Sequence, residues 1–151
     1  MRRSWTLQEQ ERVFSLEPPF RAEFLSAADD LNVACGSRGY HVRITEGLRA
    51  RERQEQLWRQ GRTQDPTTKH WLVIGTVVTW APPGSSAHEV GLAADILLVD
   101  DVTKKPLGDA HAAWRDWAAI CEAHGLVNLG TRKGDWCHVE QPNWQREVGR
   151  A

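Results

Sequence analysis

Apolar side chains recur at helical spacing in two segments of the chain. Over residues 20–34 they return every three or four positions, which predicts an amphipathic helix that ends before Gly36. Residues 109–123 repeat this spacing and predict a second helix, with Asp109 as its N-cap and Gly125 beyond its C-terminal end. Each helix has one apolar face, so both are expected to flank a sheet.

Shorter segments predict a third helix and several strands. Residues 50–60 favour a helix that Gly61 ends. Alternation or short apolar runs predict strands at residues 42–48, 77–81, 92–99, 126–129 and 136–140. The remaining segments are predicted to be a polar lead-in (1–17), a loop (62–75) and a basic turn (130–134). The sum is one α+β domain over residues 1–151, with a small, mostly antiparallel sheet flanked by helices.

Composition narrows the class of protein. A net charge of −1 over 151 residues offers no excess of basic residues for binding nucleic acid. No apolar run approaches the ~18 residues that span a bilayer, so no membrane insertion is expected. The basic start at Met1 is followed by polar residues and no apolar segment, so no signal peptide is expected. Three cysteines do not form a disulfide framework and fit synthesis in a reducing cytoplasm.

One charged residue interrupts the most apolar predicted strand. Asp95 is costly there unless it is paired or binds a metal. His88, in the loop before that strand, and His138, in the last strand, can add two imidazoles. Three protein ligands and an open position for water are what a catalytic zinc ion requires. Asp135, three residues before His138, can take a proton from that water.

These residues belong to a pattern that resembles the M15 group of zinc peptidases. The group has a Ser-x-His-x-x-Gly-x-Ala-x-Asp motif, followed by a carboxylate three residues before a second histidine. This chain matches it at Ser86, His88, Gly91, Ala93 and Asp95, and then at Asp135 and His138. The segments 46–63 and 78–86 resemble the group as well, so the resemblance covers roughly residues 40–140.

The resemblance implies a role for each matching residue and the LAS-type metallopeptidase fold. His88, Asp95 and His138 would bind one Zn²⁺ ion, and Asp135 would act as general base and acid. Arg49 would meet a substrate carboxylate or the developing oxyanion. Two further residues, Gln54 and Ser86, would line the substrate site; the plainer alternatives are a surface helix residue for Gln54 and a turn residue for Ser86.

Some positions depart from the pattern or have an open role. Cys137 stands where the group has a small apolar residue, and we interpret it as a packed thiol that points away from the face of His138. Leu129 and Gly130 replace a Trp-Gly-Gly segment. Glu140 shares a strand face with His138 and either orients its imidazole or makes a surface pair. The eight tryptophans are either core and rim residues or rings that line a cleft for a sugar or peptide chain.

The resemblance also implies the substrate, which is bacterial peptidoglycan. The first expectation is an L-alanyl-D-glutamate endopeptidase that acts as a phage endolysin. Such a protein would be a monomer that waits in the host cytoplasm and reaches the periplasm and cell wall at lysis. The alternatives are a D-alanyl-D-alanine carboxypeptidase or dipeptidase, and a non-catalytic, zinc-containing module that binds the cell wall. The presence of Asp135 argues against a pure binding module.

Overall fold

A four-stranded antiparallel sheet forms the centre of the fold, as the α+β prediction required. The computed structural model describes residues 3–148, with the backbone alone for 147 and 148. The strands of this sheet are Tyr40–Glu46 (β1), Ala93–Asp100 (β4), Val127–Leu129 (β5) and Asp135–Glu140 (β6). Their spatial order is β1-β4-β6-β5, so the two longest strands are neighbours. A separate hairpin joins Arg62–Gln64 (β2) to Trp71–Val73 (β3).

Two long helices cover the sheet and supply most of the core. Pro18–Cys35 (α2) and Ala112–Ala123 (α4) pack against each other, and the first also packs on β1. Side chains on β1 alternate between the core and the outside, because successive Cβ atoms of a strand point to opposite faces. The apolar face of α2, with Phe20 and Phe24, is completely buried. Each such side chain stabilises the fold by roughly 1.5–3 kcal/mol.

The segment predicted to be a polar lead-in is in fact a helix that belongs to the fold. Leu7–Phe14 (α1) begins at Thr6, whose side chain forms a capping box with Glu9. The Glu9 carboxylate is fully buried and accepts hydrogen bonds from the amide of Ile44 and from Arg3 and Arg43. Hydrophobic periodicity missed this helix because much of what ties it to β1 is polar.

The end of α1 reaches the turn that follows β1. Gly47 is buried so closely against the backbone of Arg12 and the hydroxyl of Ser15 that a side chain would overlap them. The amide of Leu48 donates to Ser15 Oγ at 3.0 Å. A little further on, the amide of Glu17 donates to the carbonyl of Gly91 at 2.9 Å. The end of α1 and the residues that follow it therefore support two turns of the chain that lie far away in sequence.

The structure differs from the sequence prediction at three other places, where individual side chains rather than periodicity decide the local structure. The predicted strand at 77–81 is wrong, because those residues form bends and coil. The predicted loop at 62–75 contains the β2–β3 hairpin, whose turn is held by Asp65 accepting from the amides of Thr67 and Thr68. Helix α4 is capped by His111 instead of Asp109.

The remaining helices are short. Arg51–Arg59 (α3) lies close to the prediction for 50–60, and the predicted basic turn is the helix Gly130–Lys133 (α5). A final helix, Trp144–Val148 (α6), follows β6. Among the described residues, no helix combines the length and apolar character needed to cross a bilayer.

Candidate active site

A short helical turn presents the first predicted ligand. Ala87–Val90 form a 3-10 turn in which Ser86 is the N-cap and the Glu89 carboxylate accepts a hydrogen bond from the Ser86 amide. Gly91 ends the turn with φ of +72°, a left-handed conformation that favours glycine. His88 lies on this turn with its side chain buried.

The other two predicted ligands face each other across neighbouring strands. Asp95 on β4 and His138 on β6 are direct cross-strand partners, so their side chains emerge on the same face of the sheet. One ligand atom from each of His88, Asp95 and His138 lies within 4.8 Å of the others. In the described part of the chain, this is the one such group of histidine, cysteine or acidic residues.

The two imidazoles are held in complementary tautomers. His88 Nδ1 lies 2.9 Å from the carbonyl of Gly47, which can only accept, so Nδ1 carries the proton. His138 Nε2 lies 2.8 Å from the Glu140 carboxylate and donates to it. The remaining nitrogens, His88 Nε2 and His138 Nδ1, each lie 3.3 Å from Asp95 Oδ1. Such outer contacts are typical of histidines that bind metals.

The donor set fits a zinc ion. His88 Nε2 is buried without a hydrogen-bond partner, which is costly unless a cation takes its lone pair. Two imidazole nitrogens and one carboxylate are a usual ligand set for catalytic zinc, with a fourth position left for water. Glu140, whose role the sequence left open, orients the imidazole of His138.

The charges of the ligand group support each other. Burial by itself would raise the pKa of Asp95, but the adjacent imidazoles of His138 and His88 outweigh it and hold that pKa far below its usual range. Burial disfavours the charged form of His138, yet Asp95 and Glu140 together raise its pKa to about 9. In the metal-free protein, His138 is therefore protonated at neutral pH, and that proton must leave before the imidazole can bind a metal ion.

Asp135 lies at the beginning of β6, in the same cleft as the ligand group. Partial desolvation in the cleft and the negative charge of Asp95 raise its pKa, and the imidazoles of His138 and His88 oppose this shift. A carboxylate with a raised pKa is better suited to accept a proton and pass it on at neutral pH. Asp135 thus lines the same cleft as the three candidate ligands, and its role as the base stays a prediction.

Arg49 is fixed beside the ligand group by four groups of the protein. Its guanidinium forms two hydrogen bonds to the Glu46 carboxylate and one to Gln54 Oε1, and Arg49 Nη2 lies 3.7 Å from Asp95 Oδ2. Its amide donates to the carbonyl of His88 at 2.8 Å. Burial lowers the pKa of Arg49, but the Glu46 and Asp95 carboxylates more than compensate and raise it.

Gln54 and Ser86 occupy more specific positions than the sequence indicated. Gln54 is completely buried, so it is not a surface helix residue; it accepts from Arg49 and donates to the carbonyl of Ala81 at 2.7 Å. It therefore positions Arg49, and direct contact with substrate stays a prediction. Ser86 is largely buried at the cleft wall and caps the turn of His88.

A cleft of about 660 Å³ opens over these groups. Arg53 and Lys133 line it together with Asp135, and neither pairs with a carboxylate in the part of the chain that the structure describes. Leu129 also lines the cleft, and Gly130 fits closely against the ring of Trp136. Cys137 packs against the core, and burial raises the pKa of its thiol to about 12, as expected for an inert thiol.

Sequence reasoning missed two residues that shape this site. Glu46 anchors Arg49, and it stands opposite Asp95 because β1 has an irregularity between Ile44 and Glu46. Gly47 supplies the carbonyl that fixes His88. The spacing of Glu46 three residues before Arg49 was a usable signal, whereas nothing in a single sequence indicates the contact of Gly47.

The sheet, the His–Asp–His group and the nearby carboxylate and arginine define a hydrolase of the zinc peptidase class. The family model for VanY, D-alanyl-D-alanine carboxypeptidase, matches residues 18–129. The chain belongs to this family, which confirms the resemblance to M15 peptidases.

Individual relatives support the same assignment. Over 71 residues the chain is 41% identical to the peptidoglycan L-alanyl-D-glutamate endopeptidase CwlK of Bacillus subtilis. The aligned segment covers 47% of this chain and 37% of that protein. The fold resembles that of the L-Ala D-Glu endopeptidase ChiX of Serratia marcescens, with a TM-score of 0.59, 15% identity, and coverage of 96% of this chain and 94% of that one.

A second solved structure has the same fold. VanYB in complex with D-alanine-D-alanine has a TM-score of 0.55 and 17% identity, and the match covers 88% of this chain and 75% of that one. At these identities the likeness concerns the fold, and the α+β prediction is confirmed by it.

Proposed function

We propose that this protein is a zinc-dependent peptidase that hydrolyses the stem peptides of bacterial peptidoglycan. The observation that carries the proposal is the convergence of His88, Asp95 and His138 on one point of a cleft that also holds Asp135. A binding module would need the three ligands alone, whereas hydrolysis needs a base as well. This is why we prefer an enzyme to a non-catalytic cell-wall module.

The residues of the chain account for each task of the reaction. His88 Nε2, Asp95 and His138 Nδ1 would hold the ion, which when bound supplies a Lewis acid and lowers the pKa of water. Asp135 takes the proton of the attacking water and returns it to the leaving amine. Arg49 uses three of its five donors on Glu46 and Gln54, which leaves N–H groups for the developing oxyanion.

Within this reaction class we propose the L-alanyl-D-glutamate bond as the scissile bond. The local identity with a relative named for that activity supports this choice. Arg53 and Lys133 add two cations to the cleft, which suits a peptide that carries free carboxylates. The second candidate is the bond between two terminal D-alanines, because the matching family model is named for a D-alanyl-D-alanine carboxypeptidase.

Digestion of purified peptidoglycan followed by mass spectrometry of the fragments tests the proposal. A new glutamate amino terminus would identify the endopeptidase, and release of D-alanine would identify the carboxypeptidase. A chelator should abolish either activity. If zinc-loaded protein binds the wall but releases no fragment, the enzymatic proposal is wrong and the binding module is correct.

The role of Asp135 has its own test. We expect Asp135→Ala to retain zinc with unchanged stoichiometry and to lose roughly 10²–10⁴-fold in kcat, the usual contribution of a general base. His88→Ala, by contrast, should lose both zinc and turnover. Fragment release by Asp135→Ala at the rate of the unaltered protein would remove this residue from the mechanism.

We also propose that the enzyme acts as a phage endolysin, as a monomer that accumulates in the host cytoplasm until the membrane is opened. This extension rests on the resemblance of the sequence alone. Expression in a host with and without a membrane-permeabilising holin tests it, because lysis should require both proteins. The elution volume in gel filtration tests the monomer.

A further inference from the structure

A tryptophan at the mouth of the cleft is unusually exposed. Trp80 shows 73% of its surface to solvent and lines the same cleft as the ligand group, next to the exposed Val78. By contrast, Trp114 and Trp117 are buried in the core. An exposed aromatic ring that borders a site for substrate is a candidate contact for that substrate.

The ring is supported from within the protein. The guanidinium of Arg62 lies 5.2 Å from the centre of the Trp80 ring and 3.4 Å from that of Trp58. Arg62 itself is 8% exposed and donates to the carbonyl of Trp58 at 2.6 Å, so it is fixed in place. Because a cation covers one side of the Trp80 ring, the other side is left for a ligand, and little side-chain freedom would be lost on binding.

We infer that Trp80 is a stacking platform for a pyranose ring of the glycan strand, which forms a sugar subsite beside the peptide-cleaving centre. This inference rests on the proposed function. The stem peptide offers mainly methyl groups and carboxylates, whereas a pyranose presents a flat face of C–H groups to an indole ring. A flat exposed ring also lacks the concave shape that would hold an apolar side chain.

The neighbours of Trp80 suit a sugar as well. Arg53, Thr79 and Ser85 line the same cleft and can form hydrogen bonds with hydroxyl and acetamido groups at the edge of the ring. In peptidoglycan, the L-alanine of the stem peptide is joined directly to a sugar. In the intact polymer, cleavage after that L-alanine therefore brings a sugar close to the ligand group.

The test compares two substrates that differ only in the sugar. One is a disaccharide-linked stem peptide and the other is the same peptide without the disaccharide. We expect Trp80→Ala to lower kcat/KM on the sugar-linked substrate about 3- to 10-fold, mainly through KM, with less than a twofold change on the free peptide. Trp80→Phe should retain most of the sugar effect. The matched control is Trp71→Ala, an aromatic residue of the hairpin that packs on Arg59 outside the cleft.

The outcomes separate this inference from the proposed function. Equal losses on both substrates, or no loss on either, would overturn the sugar subsite. If the unaltered protein cleaves neither substrate, the proposed function fails, and co-sedimentation with peptide-free glycan strands decides the subsite. Binding of the glycan that Trp80→Ala abolishes and Trp71→Ala preserves would support the subsite, and equal binding by all three proteins would refute it.

Discussion

Glu140 should control how tightly the protein holds zinc, and the effect should depend on pH. Its carboxylate accepts a hydrogen bond of 2.8 Å from His138 Nε2 and so keeps Nδ1 directed at Asp95. Loss of such an outer partner typically lowers metal affinity 10–100-fold. We expect Glu140→Ala to show most of this loss at pH 9.5, where His138 is largely unprotonated in the metal-free protein.

At neutral pH the loss should be smaller. Asp95 and Glu140 raise the pKa of His138 to about 9 against the effect of burial, so at pH 7 a proton weakens zinc binding by about 100-fold. Glu140→Ala removes one of these anions, which lowers the pKa of His138 and eases the competition. The poorer orientation of His138 lowers the zinc affinity, and the weaker competition from its proton raises it, so the two effects partly cancel.

Competition with a chromophoric chelator at pH 7 and pH 9.5 measures both effects. Glu140→Gln keeps an acceptor and loses the charge, so its affinity at the higher pH should lie between those of the Ala variant and the unaltered protein. Glu122→Ala, an exposed glutamate of α4, is the matched control. Unchanged affinity of Glu140→Ala at pH 9.5 would refute the orienting role, and a larger loss at pH 7 than at pH 9.5 would refute the proton competition.

Three further predictions concern stability and positioning. Burial would raise the pKa of Glu9, but its hydrogen bonds outweigh burial and lower that pKa. The ionised form of Glu9 therefore stabilises the fold above about pH 4.5, and this stabilisation is lost as the pH falls. In urea unfolding, the Glu9→Gln variant should lose less stability between about pH 5 and pH 3 than the unaltered protein does. Gly130→Ala should cost about 1–3 kcal/mol in the same assay through overlap with a ring of β6, whereas Gly108→Ala, where a Cβ meets nothing, should be neutral. Gln54→Leu should leave zinc content unchanged but lower kcat, because Arg49 loses a partner; an unchanged kcat would contradict that role.

The metal ligands were predictable for two reasons, one for the aspartate and one for the histidines. A carboxylate in the apolar strand around Asp95 needs a partner, and that need is visible without a structure. The two histidines followed from their spacing in a known motif. Glu140 and Cys137 were partly predictable from strand alternation, which correctly placed one beside His138 and the other toward the core.

The rest depends on contacts between residues that are distant in the chain. Helix α1 escaped prediction because the polar network around Glu9 joins residues more than 30 positions apart. The predicted strand at 77–81 failed because the structure gives Val78 and Trp80 exposed positions at the cleft in place of partners in a sheet. Tertiary context overrides local propensity at both places.

The N-terminal helix has a consequence for how the protein can be divided. The family match begins at residue 18, yet residues 12–17 contact Gly47 and Gly91. The carbonyl of Gly47 accepts the hydrogen bond of His88, and Gly91 ends the turn that carries His88. A fragment that begins at residue 18 would therefore contain every ligand and still present His88 on an unsupported turn. Any transplant of this catalytic module into another protein should carry α1 with it.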